Sequence, residues 1–339
     1  MIKILIIGPS WVGDMVMAQS LFKILIEKYP GAQIEVLALE WCRALLNRMP
    51  EVHQALVMPY KAGALNLFGR IRLAKNIKKN NYDRAYILPN SFKSALIPFF
   101  AGIPKRIGWR GEMRYGLLND IRILDKAALP LMVERFCALS LEKNEKLSTY
   151  PLPHLQIDKA NVAATLQRFN IDYPRYPVLS LCPGAEFGPS KQWPPEHYAA
   201  LAKKYLQKGW QVFIFGSQKD KVAASHIMQQ VSNQKIIDFT GKTNLEEAID
   251  LLSLSNMVVS NDSGLMHVAA ALHLPLVAVY GSTDPNFTPP LGKKSSIVRL
   301  GLQCSPCFQR SCPLVHQDCM QKLKPEMVET AIEKILVTE

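Results

Sequence analysis

The chain has 339 residues, 48% of them hydrophobic and 20% charged, with a mean hydropathy near zero. That length exceeds one usual domain and fits two, and the composition excludes a disordered or fibrous chain. No apolar run approaches the roughly 18 residues of a membrane span, and the apolar run 4–7 is too short for a signal peptide, so a globular cytoplasmic protein is expected. The net charge of +12 calls for an acidic partner: nucleic acid, a nucleotide or an anionic membrane surface.

Residues 3–8 (Lys-Ile-Leu-Ile-Ile-Gly) read as a central parallel strand. It leads through Pro9-Ser10-Trp11-Val12-Gly13-Asp14 into a helix over 15–29. The glycines at 8 and 13 are too widely spaced for a dinucleotide fingerprint, and no Gly-Lys-Ser/Thr follows for a P-loop. Asp14, at the mouth of the first strand and near a helix start, is either an N-cap or a general base. Strands at 34–39, 55–58 and 84–88 alternate with helices at 41–48 and 64–79, the pattern of a doubly wound parallel sheet. The second of these helices carries Arg70, Arg72, Lys75, Lys78 and Lys79. Such a patch is a solvated face in part and, as a whole, suits an anionic membrane surface.

A polar strand end follows at Pro89-Asn90-Ser91-Phe92-Lys93-Ser94. Residues 93–122 then hold six Lys/Arg against two Asp/Glu and read as a loop-rich basic segment containing Trp109, Arg110, Arg114 and Tyr115. Arginine forks match phosphate or carboxylate oxygens, and the aromatic faces suit a sugar ring or base. A helix over 132–141, a linker over 144–153 and a helix over 158–169 complete the first half, with Pro174 and Pro177 marking the domain boundary.

Strands at 178–182, 211–215, 257–259 and 275–280 repeat the architecture, each ending in polar loop residues. Lys191 precedes a helix opening near Pro195 and could neutralise a phosphate there. At Ser260-Asn261-Asp262-Ser263-Gly264 a strand breaks into a helix over 265–272. The first amides of that helix lack intrahelical partners and lie at the positive end of its dipole, so Ser263, Gly264 and Leu265 can hold a phosphate unless Asp262 or Ser263 is simply an N-cap. A last helix spans 325–337. Seven cysteines, an odd number in a chain without an export signal, argue against a disulfide framework. Four of them, Cys304, Cys307, Cys312 and Cys319, stand within 16 residues, open between a structural zinc site and free thiols.

Taken together, Gly13-Asp14, Lys191-Gln192-Trp193, the run Asp262-Ser263-Gly264-Leu265-Met266-His267 and the later Tyr280-Gly281-Ser282-Thr283-Asp284-Pro285 resemble the ADP-heptose:lipopolysaccharide heptosyltransferases over nearly the whole chain. Segments 8–14, 89–94 and 108–116 are similar to the branch that adds heptose to a core already carrying its first heptose. The resemblance implies an α/β GT-B fold of two Rossmann-like doubly wound domains, read as an acceptor-binding domain 1–173 and an ADP-heptose-binding domain 174–324; separately, the chain order leaves the terminal helix 325–339 able to cross back onto the first domain. It implies Asp14 as the base that deprotonates the acceptor hydroxyl. Lys191, Asp262, Ser263, Gly264, Leu265 and His267 are implied at the donor, and Asn90, Ser91, Lys93, Arg110 and Arg114 are expected at the acceptor. No cofactor is implied; the partners are ADP-heptose and a heptosylated lipid A core at the inner face of the inner membrane. The family's threonine pair ahead of the lysine is absent, since this chain has Ala185-Glu186. The alternatives are an enzyme adding the first or a later heptose, and a basic nucleic-acid-binding module. The second is disfavoured by the clustering of positive residues in the first domain and by the lack of a nucleic-acid motif.

Overall fold

Parallel strands buried on both faces read as near-continuous apolar runs, and 4–7, 257–259 and 276–279 have that character. The computed structural model describes residues 1–60, 63–142 and 145–337, folded as two units, Met1–Leu155 and Gln156–Glu339.

The first unit runs β1 (Lys3–Ile7), α1 (Val12–Lys28), β2 (Gln33–Ala38), α2 (Arg43–Leu46), β3 (Val52–Val57), α3 (Leu67–Lys78), β4 (Arg84–Ile87), α4 (Phe92–Phe100), β5 (Lys105–Trp109), β6 (Asp120–Arg122) and α5 (Met132–Cys137). Its sheet has the order β3-β2-β1-β4-β5-β6, with every pairing parallel. One buried cluster joins Leu5, Ile7, Leu37 and Ile87 of the sheet to Ala74 and Ile77 of α3 and to Ala95 and Ile97 of α4.

The second unit runs α6 (Lys159–Arg168), β7 (Val178–Cys182), α7 (Pro195–Gln207), β8 (Gln211–Ile214), α8 (Lys221–Gln230), β9 (Ile236–Asp238), α9 (Leu245–Leu252), β10 (Met257–Asn261), α10 (Gly264–Ala271), β11 (Leu276–Val279), β12 (Ser295–Val298), α11 (Asp318–Gln321) and α12 (Pro325–Val337). Its sheet, also all parallel, has the order β12-β11-β10-β7-β8-β9, the same topology as the first. In each sheet the chain reverses direction at one point, between β1 and β4 and between β7 and β10. Ligands of open α/β sheets bind beyond the carboxyl ends of strands at such points.

Three expectations change. The boundary falls at Leu155/Gln156, ahead of 173/174, because α6 is tied to α9 in the second unit. Buried Asp250 accepts from the Asp158 amide (3.0 Å) and the Asn161 amide side chain (2.6 Å), and Arg168 pairs with Glu247 at 2.7 Å. The terminal helix stays in its own unit: Val328, Ala331 and Ile332 of α12 enter the core shared with α7 and β11, and Glu329 pairs with Lys204 and Lys208. Residues 93–122, read as loop-rich, contain most of α4 and the whole of β5 and β6. Gly108 interrupts the apolar pattern of β5 because a Cβ there would lie 3.2 Å from the Ile87 carbonyl oxygen.

Candidate active site

In the second unit, the loops after β7, β10 and β11 bring three side chains to one point. Lys191 ends a 3₁₀ turn, Pro189–Lys191, and its Nζ lies 2.5 Å from Asp262 Oδ2. Thr283 Oγ1 donates to the same oxygen at 2.6 Å. Both Asp262 and Thr283 are buried, so each interaction is worth more than in water. Asn261 braces the cluster from behind. Its Oδ1 accepts from the Trp193 amide and the Tyr198 hydroxyl, each at 3.0 Å, and its Nδ2 donates to the Pro183 carbonyl at 2.6 Å. The Lys191 ammonium sits 5.0 Å from the centre of the Phe187 ring, and the Arg310 guanidinium 5.6 Å from it.

The sequence left open whether Asp262 or Ser263 merely caps α10. Ser263 does occupy the N-cap position, but its hydroxyl makes no cap bond and lies 3.1 Å from Ser260 Oγ. Asp262 faces Lys191 and Thr283 instead. The opening amides of α10, from Gly264 and Leu265 onward, therefore have no side-chain cap, and Ser263, Gly264 and Leu265 are part-exposed. Amides left so at a helix start attract an anion. His267, one turn further, is 5% exposed. Burial pushes its pKa down to about 4, against a smaller upward pull from Asp262 and with a push down from Lys191, so the ring is neutral near pH 7. Its Nδ1 is buried and has no hydrogen-bond partner among the described residues.

In the first unit, Asp14 lies in the first turn of α1, three residues beyond the N-cap Trp11, whose side chain makes no cap bond. It is thus not the N-cap, and its carboxylate, half-buried, adds negative charge to the positive end of the helix. Asn90 and Arg110 are exposed and Ser91 and Lys93 half-buried, with Ser91 at the N-cap of α4. Arg114 is different, and the expectation that it docks an acceptor is corrected. It is 2% exposed, and its guanidinium donates to the Pro89 carbonyl (2.7 Å), Asn90 Oδ1 (3.3 Å), Ser94 Oγ (3.4 Å) and the Trp109 carbonyl. With both terminal nitrogens of the guanidinium bonded within the protein, Arg114 fastens the 89–94 loop from beneath. Trp109 is also buried, its indole donating to the Arg135 carbonyl at 2.9 Å, so of the two aromatic rings only Tyr115 offers an open face. Glu112 completes the brace by accepting from the Phe92 amide at 2.6 Å, and Gly111 permits it, since a Cβ there would meet the Asn90 carbonyl oxygen at 2.3 Å.

A profile described as glycosyltransferase family 9 (heptosyltransferase) matches residues 70–317. The chain belongs to this family. It is 52% identical over 307 residues to lipopolysaccharide heptosyltransferase 2 of Escherichia coli K12, covering 88% of each chain. It is 49% identical over 310 residues to lipooligosaccharide heptosyltransferase 2 of Haemophilus ducreyi, again covering 88% of each. Among solved structures, the ADP-heptose lipopolysaccharide heptosyltransferase II of E. coli matches with a TM-score of 0.89 at 44% identity over 99% of both chains. The two parallel sheets are the paired Rossmann-like units of the GT-B fold, and the protein is a glycosyltransferase.

Within this family frame, Thr283 and Asn261 are contributors that the motifs did not single out. Thr283 was visible in the Y-G-x-T-D-P run, but its partner Asp262 stands 21 residues away. The four clustered cysteines are free and line a cavity of about 20 Å³ with Ser190, Ser282, Ser305 and His316. Among the described residues no group of three or more His, Cys, Asp or Glu side chains is placed to hold a metal ion, and no step is routed through a metal. The loop carrying them is fastened by hydrogen bonds: Phe308 amide to Ser282 carbonyl (2.7 Å), Ser190 amide to Arg310 carbonyl (3.2 Å), and Ser190 Oγ to the Gln309 carbonyl (2.5 Å).

Proposed function

We propose that the protein transfers heptose from ADP-heptose, with inversion, to the first heptose of a lipopolysaccharide inner core, the reaction named by heptosyltransferase 2. The observation that carries this reading is the identity of about half over most of the chain with relatives bearing that name. The chemistry of the residues supports it. Negative charge builds on the departing diphosphate as the glycosidic bond breaks, and Lys191 with the opening amides of α10 supplies matching positive charge. Lys191 is paired with Asp262, so a donor diphosphate that reaches its ammonium competes with that carboxylate. Asp262, steadied by Thr283, accepts hydrogen bonds from the heptose hydroxyls. Asp14 takes the proton of the acceptor hydroxyl as that oxygen attacks the anomeric carbon from the face opposite ADP, and a single displacement needs no nucleophilic carboxylate. Asn90, Ser91, Lys93 and Arg110 meet the acceptor, whose anionic groups suit the two cations.

No helix among the described residues is long and apolar enough to cross a membrane. The acceptor of the proposed reaction is lipid-linked, and the reading places the enzyme as a peripheral protein on the cytoplasmic face of the inner membrane. The test is ADP release with two acceptors. Turnover is expected with a singly heptosylated lipid A core and not with a core lacking heptose; efficient use of the latter would assign the enzyme to the first transfer instead.

A further inference from the structure

We propose that helix α3 and residues 64–66 ahead of it form the surface by which this protein docks on an anionic lipid bilayer. The proposal rests on the reading of a membrane-linked acceptor and says which face meets the membrane. Between Glu51 and Asp83 there are six Lys/Arg and no acidic residue. Exposed on α3, Phe68, Arg72, Lys75 and the capping Lys79 follow one another at spacings of four, three and four, so they share one stripe of the helix. None of the three cations has an ion-pair partner among the described residues.

At the amino end of the stripe the apolar residues are unusually bare: Phe68 is 86% exposed, Leu65 53% and Leu67 40%. The segment that presents them is held in place. Arg70, itself buried, donates to the carbonyls of Leu65 (2.6 Å), Ala64 (3.0 Å) and, across on α4, Lys93 (3.2 Å), while Asn66 caps α3 through the Gly69 amide (3.2 Å). Arg70 thus leaves the basic surface and becomes the clamp behind an apolar tip. α4, tied to the same clamp, adds exposed Phe99 and Phe100 to the unit. Aromatic and aliphatic side chains beside a line of unpaired cations match a surface of acyl chains beneath anionic headgroups. A nucleic acid would use the cations and leave the apolar tip uncovered.

The experiment is co-sedimentation of the full-length protein with phosphatidylcholine vesicles, with and without phosphatidylglycerol. Wild type is expected to partition onto the anionic vesicles and to be released by salt. The triple variant Arg72→Gln/Lys75→Gln/Lys79→Gln should bind them roughly 100-fold more weakly, and Phe68→Ser on the order of tenfold. All four side chains are exposed, so the variants should melt like wild type, which the same preparations check. Turnover on a deacylated, soluble heptosylated acceptor should be unchanged in both. Wild type that ignores anionic vesicles, or a triple variant that binds them normally, would overturn the proposal. So would retention on an oligonucleotide, lost in the triple variant, without vesicle binding. Failure of wild type on the soluble acceptor would defeat the functional reading instead, whatever the vesicles show.

Discussion

Asp14→Asn separates the chemical role of Asp14 from its contribution to the fold. Asn keeps the shape and removes the charge. Asp14 stands in the first turn of α1 and not at its N-cap, so the structural loss is that of a half-buried anion near the positive end of a helix. That interaction is worth about 0.3–1 kcal/mol, which lowers the melting temperature of a unit this size by at most about 4 °C. A general base replaced by an amide cannot accept the proton, and the rate should fall by roughly 10² to 10⁴. ADP affinity should hold, because Lys191 and α10 belong to the other unit. The assay is steady-state turnover on the heptosylated core, beside a thermal melt and an ADP titration. A variant that melts within a few degrees of wild type and still turns over within tenfold of it would end the general-base assignment.

Thr283→Val removes the hydroxyl that steadies the buried Asp262 carboxylate, and loss of a hydrogen bond to a charged group, about 1.5–3 kcal/mol, should raise the donor KM roughly 10- to 100-fold, with Thr283→Ser restoring most of it. An unchanged donor KM in the Val variant would show that Lys191 alone fixes Asp262. Arg110→Glu should raise the acceptor KM with no change in melting, whereas Arg114→Met should destabilise by about 2–4 kcal/mol, because it strips the buried Pro89 and Trp109 carbonyls of their donor; calorimetry beside kinetics distinguishes the two. His267 stays neutral in the folded protein down to about pH 4, while in the unfolded chain it protonates at its ordinary pKa of about 6.5. Its depressed pKa therefore contributes stability that is complete above about 6.5 and lost as pH falls toward 4, by up to roughly 3 kcal/mol, and His267→Gln should flatten the pH dependence of the melt in that window. A variant with the wild-type slope would place the titration elsewhere.

How much of this was legible in the residues follows from the range of the interactions involved. Parallel strands buried on both faces are apolar over most of their length, and the loops at their carboxyl ends are polar. The repeated strand–loop–helix units, the doubly wound class and the positions of Asp14, Lys191 and the Asp262–Leu265 turn could therefore be read from local pattern. The resemblance carried over nearly the whole chain supplied the reaction. Other features needed contacts between distant positions. Arg110 and Arg114 are the same residue type four positions apart, yet one is exposed and the other is closed under the 89–94 loop by partners 5 to 25 residues away. Asp250 draws α6 into the second unit from 89 and 92 positions away, moving the boundary that two prolines had marked. Spacing alone left the clustered cysteines open between metal and thiol, because ligation depends on the direction of each sulfur and not on the count between them. Local periodicity thus determined the elements and the loops that could hold a ligand. The tertiary structure decided which polar side chains remain available to one, since burial and hydrogen-bond saturation are properties of the packed chain.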